Sequence, residues 1–486
     1  MLEEAGIAPS PTPNRPDADT FGKKPAPGHG RNSATAYRGA QHIAVPHTTL
    51  HCGDRCPECQ RGKVYPLQEP GRLVRMHGQA PLAATVYELQ KLRCNLCGEV
   101  FTAAAPAGVG EEKYDATTAS MIALLRYGSG FPWNRLADLQ ESLDIPLPVA
   151  TQCEIVTEAA AMLQPAKEEL IRQAAQGEVL HNDDTSMLVL ALRGSLGKGT
   201  DEDDAPERTG VFTSGIVSIV EKQTIALFFT GRQHAGENLT DVLRRRAAEL
   251  APPMQMCDAL SRNLPKLPEK LEIIVGHCLA HARRRFVEVI ENFPEPCRHV
   301  LEQLGKIYGH DATARKQVMT DEERLRYHQQ HSASVMEELR AWLTTEFAEK
   351  KVEPNSGLGM AMRYVLKHWQ RLTLFLRQPG APLDNNIVER ALKKAILHRK
   401  NSLFYKTANG ARVGDLFMSL IHTCELSGAN PFDYLTQLQQ HADELAHNPA
   451  QWMPWNYRAT LEAATIPDGP GVPPLRSTSG TRLDSG

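Results

Sequence analysis

No stretch of this 486-residue chain approaches the 18 or more consecutive apolar residues of a membrane-spanning helix; LEIIV and IALFF are only of strand length. The opening MLEEAGIAPSPTPNRPD has no apolar core and carries early acids and four prolines, so no secretory signal is visible. An excess of one charge is also missing. The 54 Lys and Arg stand against 57 Asp and Glu for a net −3, which excludes a globally basic, histone-like binder but leaves room for a local basic patch. Internal repeats are absent too. What is present is a globular composition, 41% hydrophobic and 23% charged, long enough for two to four domains. Ten cysteines could form disulfides, yet five crowd into residues 52–97 and the rest are scattered. Without an export signal that clustering points to metal binding in a reducing compartment, and so to a cytoplasmic protein with no membrane contact.

The chain divides by composition. Residues 1–48 are rich in Pro, Gly, Ser and Thr and predict a disordered leader. Residues 49–105 carry the cysteine cluster among short strand-like runs such as VYPL and EVFTA. From 106 to 176 apolar residues recur at three- and four-residue spacing, broken at GSGFP and IPLP. Short helices with tight breaks suit a helix-turn-helix that binds DNA, and suit any small helical bundle equally. At 178 the period changes to β-rich segments, EVLHNDDTSMLVLAL, TGVFTSGIVSIV and TIALFFTG, the first two separated by the polar loop GKGTDEDDAPER. A helix and two short strands around MQMCDAL and LEIIVG follow, the order of a mixed α/β sheet. Residues 281–378 are helical in pattern, 384–398 predict one strong helix and 411–445 two more. A C-terminal extension, 446–486, is expected to be disordered from about 464.

Cys56-Pro-Glu-Cys59 and Cys94-Asn-Leu-Cys97-Gly98 are two CxxC units with 34 residues between them. Four thiolates satisfy Zn²⁺ tetrahedrally, and a CxxC turn offers two sulfurs to one ion. Such a closed site is structural rather than catalytic. The gap exceeds the commonest ribbon spacing, so it must hold a hairpin of its own. Cys52 is a possible substitute ligand, and four buried free cysteines are the alternative.

Asp183 and Asp184 interrupt an apolar strand in HNDDTSMLVL. Carboxylates avoid buried strands unless something compensates, and a metal ion is the usual compensation. Asp258 ends another short strand in MQMCDALSRN. Glu389 lies about one turn into the helix of PLDNNIVERALKKAILHRKN, where Asp384 or Asn385 can cap and Ile387, Val388, Ala391 and Leu392 form the apolar face. Two strand aspartates and one helix glutamate are what a two-metal phosphodiester site needs, with two Mg²⁺ (or Mn²⁺) about 4 Å apart. Each acid alone is weak evidence, since surface Asp and Glu are common.

From Arg390 to Gly414 there are seven cations and no acid: Arg390, Lys393, Lys394, Arg399, Lys400, Lys406 and Arg412, with Phe404 and Tyr405 interleaved. That stretch would lay positive charge beside the metals, where a phosphate backbone would run. Arg244–Arg246 and the arginines after His281 are further basic clusters, which could equally be solvated helix faces.

LHNDDTSMLVL, MCDALSRN, HCLAHARRRFVEV and above all PLDNNIVERALKKAILHRKNSLF resemble transposases of the insertion sequence 66 family, from the cysteine cluster to about residue 440. The resemblance implies a DDE transposase with a ribonuclease-H-like catalytic core over 177–445, a zinc-finger region and a helix-turn-helix-like segment before the core. Carried over, the catalytic acids fall on Asp183, Asp258 and Glu389, with Asp184 a lesser candidate. The 131 residues from Asp258 to Glu389 then imply a helical insertion at about 285–378. Leu279 stands where the family commonly has Trp, and Asn182 where a small residue is usual. The implied function is metal-dependent cleavage and strand transfer of an insertion sequence. Its partners would be double-stranded DNA (element ends and target), further copies of the chain on that DNA, and accessory proteins of the element. The alternative is a DNA-binding regulator, derived from a transposase, that has lost catalysis.

Overall fold

The computed structural model describes residues 44–46, 49–67, 80–93, 95–97, 100–110, 112–193, 210–268 and 271–465. The expected disordered tail and the polar loop GKGTDEDDAPER lie outside the described residues, as does nearly all of the leader. One compact unit ends at Ala80 and the other runs from Pro81 onward. No helix among the described residues is long and apolar enough to cross a membrane.

The second unit opens with a small antiparallel pair, β1 (Lys91–Arg93) and β2 (Val100–Thr102). Three helices follow: α1 (Ala116–Ala123), α2 (Trp133–Ser142) and α3 (Val149–Ala174). Asp115 starts α1 by accepting the Thr118 N–H at 3.0 Å, satisfying one of the orphan donors of a first turn. Prolines 132 and 148 hold extended backbone immediately before α2 and α3. Ile122 of α1 and Leu163 and Leu170 of α3 are fully buried in one cluster with Ile216 and Phe228 of the sheet. Helices of the segment expected to be helix-turn-helix-like thus share one buried cluster with the sheet. The segment's apolar periodicity revealed a buried face but not what that face packs on.

The sheet has five strands in the order β5-β4-β3-β6-β7. Strands β3 (Val179–Ser186), β4 (Phe212–Val220) and β5 (Gln223–Gly231) form an antiparallel meander. The helix α4 (Ala235–Leu243) then leads to β6 (Met254–Cys257), parallel to β3, and β7 (Ile274–His277), parallel to β6. The middles of β4 and β5 are continuously buried, as expected of strands covered on both faces.

Beyond β7 come α5 (Leu279–Val287), α6 (Pro294–Lys316), α7 (Asp321–His331), α8 (Ala333–Ala348), α9 (Gly357–Lys367) and α10 (Trp369–Leu372). They bury a second core that includes Phe286, Leu304, Leu339 and Met362. The helical excursion thus begins at Leu279, a little before the expected 285. Its two ends are joined: Leu279 N–H donates to Leu383 O at 3.0 Å, and Asn385 N–H to Cys278 Sγ at 3.2 Å.

The chain returns as α11 (Asn386–Ser402), α12 (Ala408–Ser427), α13 (Pro431–Gln440), α14 (Ala442–His447) and α15 (Tyr457–Thr465). Helix α11 crosses β4 and β3, where Gly215 gives it room: a Cβ there would lie 3.0 Å from Leu392 and 3.2 Å from Val388. Helix α12 runs along the open edge of β5. Thr423 Oγ1 and Ser419 Oγ accept the N–H groups of Ala226 and Phe228 at 3.1 and 3.0 Å, and Asp415 accepts that of Thr230 at 2.7 Å. Four helical residues advance about 6 Å and two strand residues about 6.8 Å, so a polar stripe at every fourth position matches alternate strand amides. The edge is closed by side chains instead of a sixth strand. The C-terminal extension adds buried Trp452 and Tyr457 to the main core.

Candidate active site

The parallel pairing of β3 with β6 sets His181 opposite Met256, so the next two steps bring Asp183 level with Asp258, one residue past the end of β6. Neither strand names the residue that links them. Asn263, in the short turn Ser261–Asn263, donates its single Nδ2 to Asp258 Oδ1 at 2.6 Å and to Asp183 Oδ1 at 3.3 Å. Its carbonyl accepts in turn from Asn182 Nδ2 at 2.8 Å and Gln255 Nε2 at 2.7 Å, and Gln255 also donates to Asn182 Oδ1. Asn182, Gln255 and Asn263 are all buried. A small residue at 182, usual in the family it resembles, could not make this bracket. The signal for Asn263 was its place in the MCDALSRN segment, five residues after Asp258.

Burial and the neighbouring charges of Asp258 and Asp184 push the Asp183 carboxyl up to about 7, although the N–H groups of Asp184 and Asn263 partly offset them. A buried and a half-buried carboxylate sharing one amide donor are a site that a hard divalent cation would relieve. The donor chemistry fits Mg²⁺ or Mn²⁺ there. Asp184, by contrast, already has side-chain partners. Its Oδ2 meets His234 Nδ1 at 2.8 Å and its Oδ1 faces Arg262 at 3.4 Å, as the strand's alternation allows.

Glu389 arrives at the same end of the sheet in the first turn of α11. The capping is divided between two residues. Asp384 accepts the Asn386 N–H at 3.1 Å, while Asn385 turns inward, donating to Asn182 O at 3.0 Å and meeting His181 Nδ1 at 3.0 Å. The start of α11 is thereby tied to β3, and through Cys278 to the residue that follows β7. The half-buried Glu389 has Arg284 Nη2 at 3.2 Å from Oε2 and His281 Nδ1 at 3.5 Å from Oε1. Donor atoms of Cys278, His281 and Glu389 all lie within 4.8 Å of one another. The structure thus joins Asp183 to Asp258 through Asn263 and sets Glu389 in a neighbouring group with Cys278 and His281. His281 links the two groups: burial lowers its pKa, opposed by the charges of Glu389 and Asp258.

Residues 112–413, well over half of the chain, match the family described as Transposase IS66 family. The chain belongs to that family. Among relatives, the uncharacterized protein y4jD of Sinorhizobium fredii (strain NBRC 101917 / NGR234) is 33% identical over 189 residues, covering 38% of this chain and 36% of y4jD. The uncharacterized protein y4hP of the same organism is 24% identical over 443 residues, covering 87% of this chain and 76% of y4hP. The chain thus spans about a third of the first of these relatives and three quarters of the second.

The basic stretch of this IS66 family member splits by environment. Arg390, Lys393, Lys400, Lys406 and Arg412 are exposed. Lys394 is not free of acids, as its local sequence implied: α12 supplies Glu425, whose Oε1 meets Lys394 Nζ at 2.8 Å. Arg399 anchors α11 to the end of β3 through Thr185 Oγ1 at 3.1 Å and Ser186 Oγ at 2.7 Å. The Arg244–Arg246 cluster is engaged too, with Arg244 on Asp241, Arg245 on Glu168 and Arg246 on the carbonyls of Ala175 and Gly177. Arg285, from the basic cluster after His281, lines a groove with Arg363, Tyr364, Lys367 and His368, which sequence reading did not single out, and stacks 4.1 Å over the Tyr364 ring.

In the first unit, Cys56 and Cys59 sit at the tip of a tight hairpin closed by the Arg55–Lys63 bridge. Cys56 N–H donates to Gly62 O at 2.8 Å, and Gly62 N–H points at Cys59 Sγ at 3.4 Å. The N–H groups of Gly62 and Arg61 pull the Cys59 thiol below its ordinary value, the environment a zinc thiolate requires. In the second unit, Cys97 is exposed in the turn between β1 and β2. Cys94 lies outside the described residues.

Proposed function

We propose that this chain is a DDE transposase whose sheet is a ribonuclease-H-like catalytic core, cutting and joining DNA strands at the ends of an insertion sequence. The observation that carries this reading is the pairing of Asp183 and Asp258 through Asn263 just beyond the parallel pairing of β3 with β6, with the start of α11, which carries Glu389, bonded to β3 beside them. Asp183, Asp258 and Glu389 would hold two Mg²⁺, or Mn²⁺. Such ions activate water or a 3′-hydroxyl and neutralise the charge on the phosphate being attacked. The remaining work belongs to the chain itself. Asn263 fixes the spacing of the two aspartates, and Arg284 and His281 aim the glutamate. Arg399 holds α11 against β3, and the exposed Arg390, Lys393, Lys400, Lys406 and Arg412 offer charge to the phosphate backbone. Hydrolysis would free a 3′-hydroxyl at the element end, and that hydroxyl would then attack a target phosphodiester, displacing another 3′-oxygen.

A Cys56–Cys59–Cys94–Cys97 zinc ribbon and the 106–176 helices would contribute to recognition of the ends. Pairing two ends calls for more than one copy of the chain on the DNA. The test is divalent-dependent nicking of a duplex carrying the inverted repeats that flank the coding region. Glu389→Gln and Asp258→Asn keep volume and hydrogen-bonding reach but remove charge, so cleavage should fall by several orders of magnitude while DNA binding persists. Wild-type rates in Glu389→Gln would refute the assignment. Sequence-specific binding with no cleavage in any divalent metal would identify the chain as a regulator derived from a transposase.

A further inference from the structure

We infer that Cys278, His281 and Glu389 form a second cation site beside the aspartate pair, one that takes a borderline transition ion of the Zn²⁺ class in preference to Mg²⁺. Three different donors converge there: a thiol, an imidazole and a carboxylate, all within 4.8 Å of one another. His281 Nδ1 and Glu389 Oε1 face each other at 3.5 Å, and both are buried without a hydrogen-bond partner. That separation is too long for a good hydrogen bond. It is close to the donor–donor edge of a tetrahedral ion, about 3.4 Å for bonds of roughly 2.05 Å.

The backbone supports the same grouping. Cys278 and His281 form a C-x-x-H turn at the start of α5, three residues apart and therefore neighbours on one helical turn. Glu389 comes from α11, whose approach is fixed at the same sulfur by the Asn385 N–H. Glu389 also divides its oxygens: Oε2 takes Arg284 Nη2 at 3.2 Å, leaving Oε1 turned to the imidazole. A sulfur–nitrogen–oxygen set suits Zn²⁺ or Co²⁺ and ill suits Mg²⁺, which seeks oxygen ligands in near-ideal octahedral geometry. Binding would release the Cys278 thiol proton to solvent. The functional consequence rests on Glu389 being the third catalytic carboxylate. An ion of this class would hold Glu389 away from the Asp183–Asp258 pair, and zinc would then oppose magnesium-driven cleavage.

The test uses Co²⁺ as the probe on the full chain stripped with chelator. The ribbon is silenced by Cys56→Ser with Cys59→Ser, so that its thiolates do not dominate the spectrum. A sulfur-to-cobalt charge-transfer band should persist in that background. It should vanish when Cys278→Ser is added, and His281→Gln should weaken cobalt binding at least tenfold. Circular dichroism identifies a variant that fails to fold, and the other variant then decides. Bands of equal strength in all folded proteins would overturn the site. A second arm follows Mg²⁺-dependent cleavage against added Zn²⁺. The half-inhibiting concentration should rise at least tenfold in Cys278→Ser, measured against that variant's own zinc-free rate. A cobalt band without zinc inhibition would overturn the control of Glu389. Absence of cleavage under all conditions would overturn the transposase reading while the cobalt spectrum still decides the site.

Discussion

Asp183→Asn should make the metal-free protein more stable at neutral and alkaline pH while destroying the proposed site. Burial, then the charge of Asp258, raise the Asp183 carboxyl from 3.8 to about 7. Below pH 3.8 this carboxyl is protonated in both the folded and the unfolded chain and contributes nothing to the pH dependence. Between 3.8 and 7 the unfolded chain has released the proton and the folded chain still holds it, so stability falls as pH rises. Above about 7 the loss is complete. A shift of roughly three units at 1.36 kcal/mol each is about 4 kcal/mol, and solvent screening of the half-buried Asp183 lowers the expectation to about 2–4 kcal/mol. Asparagine cannot ionise, yet its side-chain oxygen can still accept from Asn263 and from the Asp184 N–H. In thermal unfolding with chelator, the variant should match wild type near pH 4. It should exceed wild type by about 5 °C at pH 8. Millimolar Mg²⁺ should then raise the wild-type midpoint at pH 8 and leave that of the variant unchanged, since an ion that binds only the folded state stabilises it. Parallel pH profiles for the two proteins would mean that Asp183 ionises like a surface acid, and the argument for a strained, cation-seeking pair would fail.

Replacing the exposed Lys393 and Lys400 together with Ala should weaken binding to most DNA sequences alike and lower the log–log salt slope by roughly 0.9 per lost contact; an unchanged slope would show that they miss the DNA. Lys394→Ala should instead lower the melting temperature and barely alter that slope, because its ammonium is committed to Glu425. Gly215→Val should drive Leu392 and Val388 outward and carry Glu389 with them. Cleavage should then fall far more than DNA binding, at a stability cost of about 1–3 kcal/mol, and wild-type cleavage would show that α11 does not set the glutamate. Cys56→Ser with Cys59→Ser should remove one zinc equivalent per chain by elemental analysis; no loss would remove the ribbon.

The strands were legible because β4 and β5 are apolar almost throughout, and the aspartates stood out as charges where a buried strand cannot tolerate them. Glu389 was legible through the cap and apolar face around it. Relations that close over long sequence distances were not legible. Asn263 bonds a carboxylate 80 residues away, and its place five residues after Asp258 does not show that bond. Lys394 lay in a stretch without acids until α12 brought Glu425 beside it. Asp415, Ser419 and Thr423 read as polar interruptions of an apolar helix, and only the exposed edge of β5 gives that spacing a purpose. The helices of 106–176 presented a buried face whose partner was the sheet itself.

The excursion from Leu279 to Leu383 begins and ends on one pair of hydrogen bonds, Leu279 N–H to Leu383 O and Asn385 N–H to Cys278 Sγ. About a hundred residues therefore leave and rejoin the core almost at a single point, with an apolar interior largely their own. Lengthening a loop whose ends are already joined costs little, only about 0.6 kcal/mol per doubling. Such an appendage can grow, shrink or be exchanged while the carboxylates stay in place. Lineages could thus vary this helical body without rebuilding the carboxylate cluster, and an engineer could graft a different body onto the same two hydrogen bonds.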